Sequence, residues 1–192
     1  PDTRPSLSLT LDGEGLDVDG MAAFASLFVS DAGVSRFADR DVDIDVTAGP
    51  VTASGLTADS VDTRMRFRGG VLEIDKLAVS GLAGTSLSAT GTIKDIGSSP
   101  TGNFDASILS TDLAPLFGLL AAQYPDVGVL KQINSRTAAY RGLLESTRVD
   151  MVLTAVKNDD SSTGIALSAK GEAGGTLFTL SGSANGDVGA LD

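Results

Sequence analysis

Two-residue alternation predicts a mainly β fold: a curved or folded-over antiparallel sheet, groove- or solenoid-like, with a few short helices at its corners. Three observations support that expectation. Apolar residues recur at every second position in run after run, glycine-rich turn chemistry closes each run, and only a few stretches switch to helical spacing. The 192 residues include 23 glycines and no tryptophan, a composition suited to many turns and to a core without large aromatic anchors.

The elements follow in chain order. Leu7, Leu9 and Leu11 alternate with Ser and Thr, which predicts a first strand. Asp19 then precedes an apolar series at helical spacing and predicts a capped helix over Met21–Phe28. Val42, Ile44 and Val46 alternate with Asp41, Asp43 and Asp45, and Met65 and Phe67 with Arg64, Arg66 and Arg68. Gly69-Gly70 then turns the chain into the run Val71–Asp75, a hairpin signal because tight two-residue turns need positive φ. Leu87, Ala89 and Ile93 share a face, as do Phe104, Ala106 and Ile108. A second helix is predicted over Leu113–Ala122, with Asp112 before it and Pro115 tolerated in its first turn. Two further helical patterns follow, over Val127–Ile133 and Ala138–Leu144. The runs Val149–Ala155, Ile165–Ala169 and Phe178–Leu180 close the chain, giving about ten strands.

An internal repeat underlies this order. Asp19 matches Asp112 at an offset of 93, Val42–Ala48 matches Val149–Ala155 at 107, and Thr85–Gly91 matches Thr176–Gly182 at 91. The chain therefore reads as one β-rich region, 1–192, built from two diverged copies, about 1–100 and 101–192. The opening Pro1-Asp2-Thr3 reads as the start of a segment of a longer protein, with any targeting segment outside it.

Composition excludes much chemistry. With no His and no Cys, Ser-His and Cys-His nucleophiles, thiolate zinc sites and disulfides are absent. A net charge of −11 disfavours nucleic acid, whose binding needs cations against phosphates, and polybasic docking on anionic lipid head groups. Asp41, Asp43 and Asp45 form an acidic row, but Val46 and Thr52 stand where a calcium loop needs Gly and Glu. That row is expected to be a solvated face. Arg64, Arg66 and Arg68 form the one cationic row; it either meets lipid head groups or pairs with Glu73 and Asp75 across the hairpin. Gly81–Ser86 lacks the Lys of a phosphate loop and leads into a strand. No catalytic residue, metal or cofactor is expected. A carboxylate-based glycan hydrolase stays open as a rival, because Glu14, Glu73, Glu145 and Glu172 are the glutamates from which an acid–base pair would come.

The aliphatic strand faces must bury against a second layer, against helices or against an apolar ligand. Phe67-Arg68-Gly69-Gly70-Val71-Leu72-Glu73-Ile74-Asp75-Lys76-Leu77, running on through Gly81-Leu82-Ala83-Gly84-Thr85-Ser86-Leu87-Ser88-Ala89-Thr90-Gly91, resembles the strand–Gly–strand signature of AsmA-like proteins. Asp112-Leu113-Ala114-Pro115-Leu116 resembles the sequel of that signature, and Leu16–Phe24 a further copy. The likeness is best from about Val42 to Leu120.

The resemblance implies the periplasmic region of a protein anchored in the Gram-negative inner membrane through a segment outside this chain. It also implies a part in outer-membrane biogenesis and envelope integrity, with phospholipid held or moved along an apolar β-groove, as is thought for TamB-like relatives. The lipid-facing candidates are Met65, Phe67, Leu72, Ile74, Leu87, Ile93, Phe104 and Ile108, with Arg64, Arg66 and Arg68 as head-group contacts. The alternative is a closed scaffold or adhesin module whose same rows form an ordinary dry core.

Overall fold

The computed structural model describes residues 5–19, 41–95, 101–158 and 163–186. Among these, strands take 67% and helices 15%, so the protein is mainly β. Nine strands form one sheet: β1 (Ser6–Gly13), β3 (Asp41–Ala48), β6 (Ser60–Arg68), β7 (Val71–Leu82), β8 (Thr85–Lys94), β9 (Thr101–Asp112), β10 (Glu145–Lys157), β11 (Thr163–Ala173) and β12 (Thr176–Gly186), paired in that order. The two ends do not pair with each other, so the sheet is open. A small second sheet joins β2 (Leu16–Asp17), β4 (Val51–Ala53) and β5 (Leu56–Ala58).

Seven of the eight pairings in the large sheet are antiparallel, three of them (β6–β7, β7–β8 and β11–β12) across short glycine turns. The first departs from expectation: β1 runs parallel to β3, which makes the sheet mixed. The two segments expected to be copies differ here, since β9 and β10, on either side of the second helical segment, pair antiparallel. The hairpin at Gly69-Gly70 forms as expected, with φ of 57° and 80° at the two glycines and Arg68 opposite Val71.

β7 is longer than its alternation suggests because it holds a bulge. Met65 pairs with Ile74 and Arg64 with Lys76, so Asp75 is an extra residue on that strand. The bulge leaves both Asp75 and Lys76 exposed on one face and returns Leu77 to the face of Ile74. A second irregularity falls between Val79 and Leu82, where Gly81 takes a φ of 73°.

Two helices follow β9: α1 (Ala114–Gln123) and α2 (Gly128–Ala139). The Asp112 carboxylate accepts the Ala114 N–H at 2.9 Å and Pro115 lies in the first turn. The expected helix over Ala138–Leu144 is not formed: α2 stops at Ala139 and residues 141–144 are turn. Gly142 at φ 84° bends the chain there, and the Leu113 N–H bonds the Leu144 carbonyl, pulling it back toward β10. The helix expected over Met21–Phe28 lies outside the described residues. Asp19, expected to cap it, accepts the Ser54 N–H in the turn between β4 and β5.

Candidate functional site

Register gathers an apolar series from each strand on one face of the large sheet, because side chains alternate between faces, while Leu109, Val152, Val156 and Leu177 fall exposed on the other. Four cross-strand rows result. Val61, Val79, Leu87, Ile108, Val149 and Phe178 lie in the first. Val46, Thr63, Leu77, Ala89, Ala106, Met151, Ala169 and Leu180 make the second. Leu9, Ile44, Met65, Ile74, Phe104, Leu153 and Leu167 make the third, and Leu7, Val42, Phe67, Leu72, Ile93, Ala155 and Ile165 the fourth. All eight apolar candidates, Met65, Phe67, Leu72, Ile74, Leu87, Ile93, Phe104 and Ile108, fall within these rows.

The face reaches beyond those eight. It runs on through Val149, Met151, Leu153, Leu167 and Leu180, whose alternation was legible, and through Leu77, which the bulge put out of phase.

Burial across the face is uneven. The middle of the second row is closed by small side chains: Thr63, Ala89, Ala106 and Ala169 are all buried. The large aliphatics around them are only half-buried, apart from Ile74, and Leu7, Leu9, Leu153 and Leu180 are exposed. No large side chain among the described residues is fully enclosed. A sheet packed against a full second layer would enclose its Leu, Ile and Phe side chains. Here neighbouring side chains shield one another and leave an open apolar surface.

Polar groups that intrude on this face are satisfied. The Thr63 hydroxyl donates to the Lys76 carbonyl at the bulge, 3.1 Å away. At the helix end, Thr85 donates to Ser110 at 3.0 Å, Ser110 reaches the Gly84 carbonyl at 3.3 Å, and Thr147 donates to the Leu144 carbonyl at 2.6 Å.

The opposite face is charged between β3 and β7. Arg64 meets Asp45 at 2.7 Å, Arg68 meets Asp43 at 2.9 Å, and Arg66 meets both Asp75 at 2.6 Å and Glu73 at 3.2 Å. Lys76 pairs with Asp62. Hydrogen bonding to Asp45, reinforced by its charge, raises the Arg64 guanidinium above its ordinary value, and Asp75 does the same for Arg66. The three arginines thus lie on the face away from the eight apolar candidates, with their charge spent on carboxylates. Head-group contact was expected of them, but strand alternation directs them away from the apolar surface. The hairpin pairing to Glu73 and Asp75 holds for Arg66 alone; Arg64 and Arg68 turn instead to β3, whose Asp43 and Asp45 are thereby also occupied.

A depression of about 600 Å³ also lies on this second face between β7 and β11, bordered by Lys76, Ser88, Asp105, Ser107, Asp150 and Lys170. It exists because Ala, Ser and Thr side chains stand where longer ones would fill the surface. Its Asp150 already accepts a hydrogen bond from Ser107 at 2.7 Å. Of the glutamates weighed for hydrolysis, Glu73 is engaged by Arg66.

Comparison with protein-family models, with curated proteins and with solved structures finds no match for this chain.

Proposed function

We propose that this protein is a non-catalytic, phospholipid-binding region of an AsmA-like envelope protein, lying on the periplasmic side of the Gram-negative inner membrane. Its part in outer-membrane biogenesis would be to hold acyl chains on the apolar face of the nine-stranded sheet. The observation behind this reading is that face itself: four rows deep, continuous from β1 to β12, and lined by large aliphatic side chains that remain half-exposed. Contiguous apolar surface on this scale marks a binding surface rather than ordinary exterior. The resemblance of the Phe67–Gly91 stretch to the AsmA-like signature supports the same reading, since it maps onto β6, β7 and β8 at the centre of the face.

The energetics suit an acyl chain. Each CH₂ moved out of water is worth about 0.8 kcal/mol, so a sixteen-carbon chain gains on the order of 10 kcal/mol before ordering costs. The face offers no charged side chain among its rows, so a head group stays in water.

Mass spectrometry of lipid carried through purification tests the proposal. The native protein is expected to retain phospholipid, and Leu153→Asp, at an exposed position of the third row, to retain its fold but lose lipid. Native protein that carries no lipid and takes up no fluorescent phospholipid after delipidation would point to the closed scaffold instead.

A further inference from the structure

The strongest feature outside the sheet is the α1–α2 hairpin. Leu113 through Tyr124 contains no charged residue, and α1 is apolar around its whole circumference. A helix of that kind normally lies in a core or in lipid. Here Ala121 is buried and Gly118 approaches Asn134 of α2, while Pro115, Leu119 and Ala122 form an exposed stripe at helical spacing. Leu119 is 45% exposed, Val127 42% and Leu143 46%. Tyr124 and Tyr140, at the C-terminal ends of the two helices, are exposed as well.

Charge is inverted in the same segment. Residues 113–144 hold Lys131, Arg136 and Arg141 against Asp126 alone, a net +2 in a chain of −11. Lys131 and Arg136 both stand on the exposed side of α2. The hairpin therefore shows an apolar stripe on α1 and two exposed basic side chains on α2, with tyrosines at the helix ends, while the rest of the chain is acidic.

We propose that the α1–α2 hairpin docks on the surface of a bilayer containing anionic phospholipid. Leu119 and its stripe enter the acyl boundary, the tyrosine rings lie at head-group level, and Lys131 and Arg136 meet lipid phosphates. A molecule of net charge −11 is repelled by such a membrane everywhere else, so the basic hairpin also fixes which end approaches. The idea stands apart from lipid binding by the sheet, because it concerns a different surface and a bilayer rather than a single bound lipid.

Vesicle flotation of the whole 192-residue protein tests it, using phosphatidylcholine vesicles with and without phosphatidylglycerol. Binding is expected only when phosphatidylglycerol is present, and is expected to fall as salt rises. Each basic residue near an anionic surface contributes about fivefold, so Lys131→Gln with Arg136→Gln should weaken binding roughly 30-fold. Leu119→Glu should weaken it more than about tenfold through lost apolar insertion. These exposed positions leave the thermal midpoint unchanged, and lipid carried through purification, which reports on the sheet, should also be unchanged. Failure of the native protein to float, equal flotation with neutral vesicles, or native-like flotation of folded L119E and the double variant would each overturn the proposal.

Discussion

Phe104 of β9 stands directly opposite Gly91 of β8, and a Cβ on Gly91 would lie 3.0 Å from the Phe104 ring atom Cδ2. The ring occupies the space the glycine leaves, in the third row of the apolar face. The same hypothetical Cβ would come within 2.5 Å of the Asn103 carbonyl oxygen, which belongs to the ladder and has little room to move. Gly91→Ala is therefore expected to destabilise the protein by about 1–3 kcal/mol despite alanine's better backbone entropy. At about 2–4 °C per kcal/mol for a chain of this size, a thermal melt reads the loss easily. A variant as stable as the native protein would mean that the strands shift there without cost.

Gly81 poses a sharper constraint. Its φ is 73°, and a Cβ would fall 2.2 Å from the carboxylate carbon of Asp59. Asp59 is itself held by its N–H to the Ser80 carbonyl at 2.8 Å. Gly81→Ala should cost more than Gly91→Ala, because steric overlap adds to about 1 kcal/mol or more of backbone strain. Pairing it with Asp59→Ala should relieve the overlap with the carboxylate and leave the strain and the 2.7 Å approach to the Cβ of residue 59, a coupling that urea melts of the double-mutant cycle measure. Purely additive losses would deny that the carboxylate is the obstacle.

The arginine row yields a salt-dependent expectation. Arg66 holds two carboxylates, Asp75 and Glu73, and its Nε is buried without a hydrogen-bond partner. Arg66→Glu sets a third carboxylate against those two and should lower the thermal midpoint at low ionic strength, with most of the loss recovered in molar salt. Arg66→Met should show a smaller and salt-insensitive change. Equal effects of the two substitutions at every salt concentration would remove electrostatics from the account.

Much of this fold was legible because strand alternation is a local signal with a global consequence. A two-residue period assigns side chains to a face before any partner strand is known, which is why the eight apolar candidates share one face. The pairing of Arg64 with Asp45 and of Arg68 with Asp43 was not legible, because it depends on β3 lying beside β6 across 11 intervening positions. The bulge at Asp75-Lys76 broke the alternation where two charged residues needed the same face, which hid Leu77. The parallel entry of β1 beside β3 carries no local mark at all. The extra helical pattern over Ala138–Leu144 was misleading because apolar spacing competes there with a glycine turn and with the Leu113–Leu144 backbone bond.

The openness of the apolar face predicts a gradient of mutational cost across it. Ile74 is 8% exposed and sits between Met65 and Gly91, so Ile74→Ala should remove a buried side chain and leave a cavity, costing about 2–5 kcal/mol. Ala89, buried at 4%, has no room for growth, and Ala89→Leu should cost about 1–3 kcal/mol through overpacking. Leu153 lies in the same row as Ile74 but is 39% exposed, so Leu153→Ala should cost less than about 1 kcal/mol. A closed core would erase this contrast, since Leu153 would then lose as much as Ile74. Urea midpoints for the three variants, each with an unchanged m-value, distinguish the cases. The measurement needs protein stripped of lipid, because an acyl chain lying over Leu153 would raise the cost there. Repeating it on lipid-loaded protein should therefore increase the Leu153→Ala penalty while leaving that of Ala89→Leu in place, and equal penalties in the two states would detach Leu153 from the lipid surface.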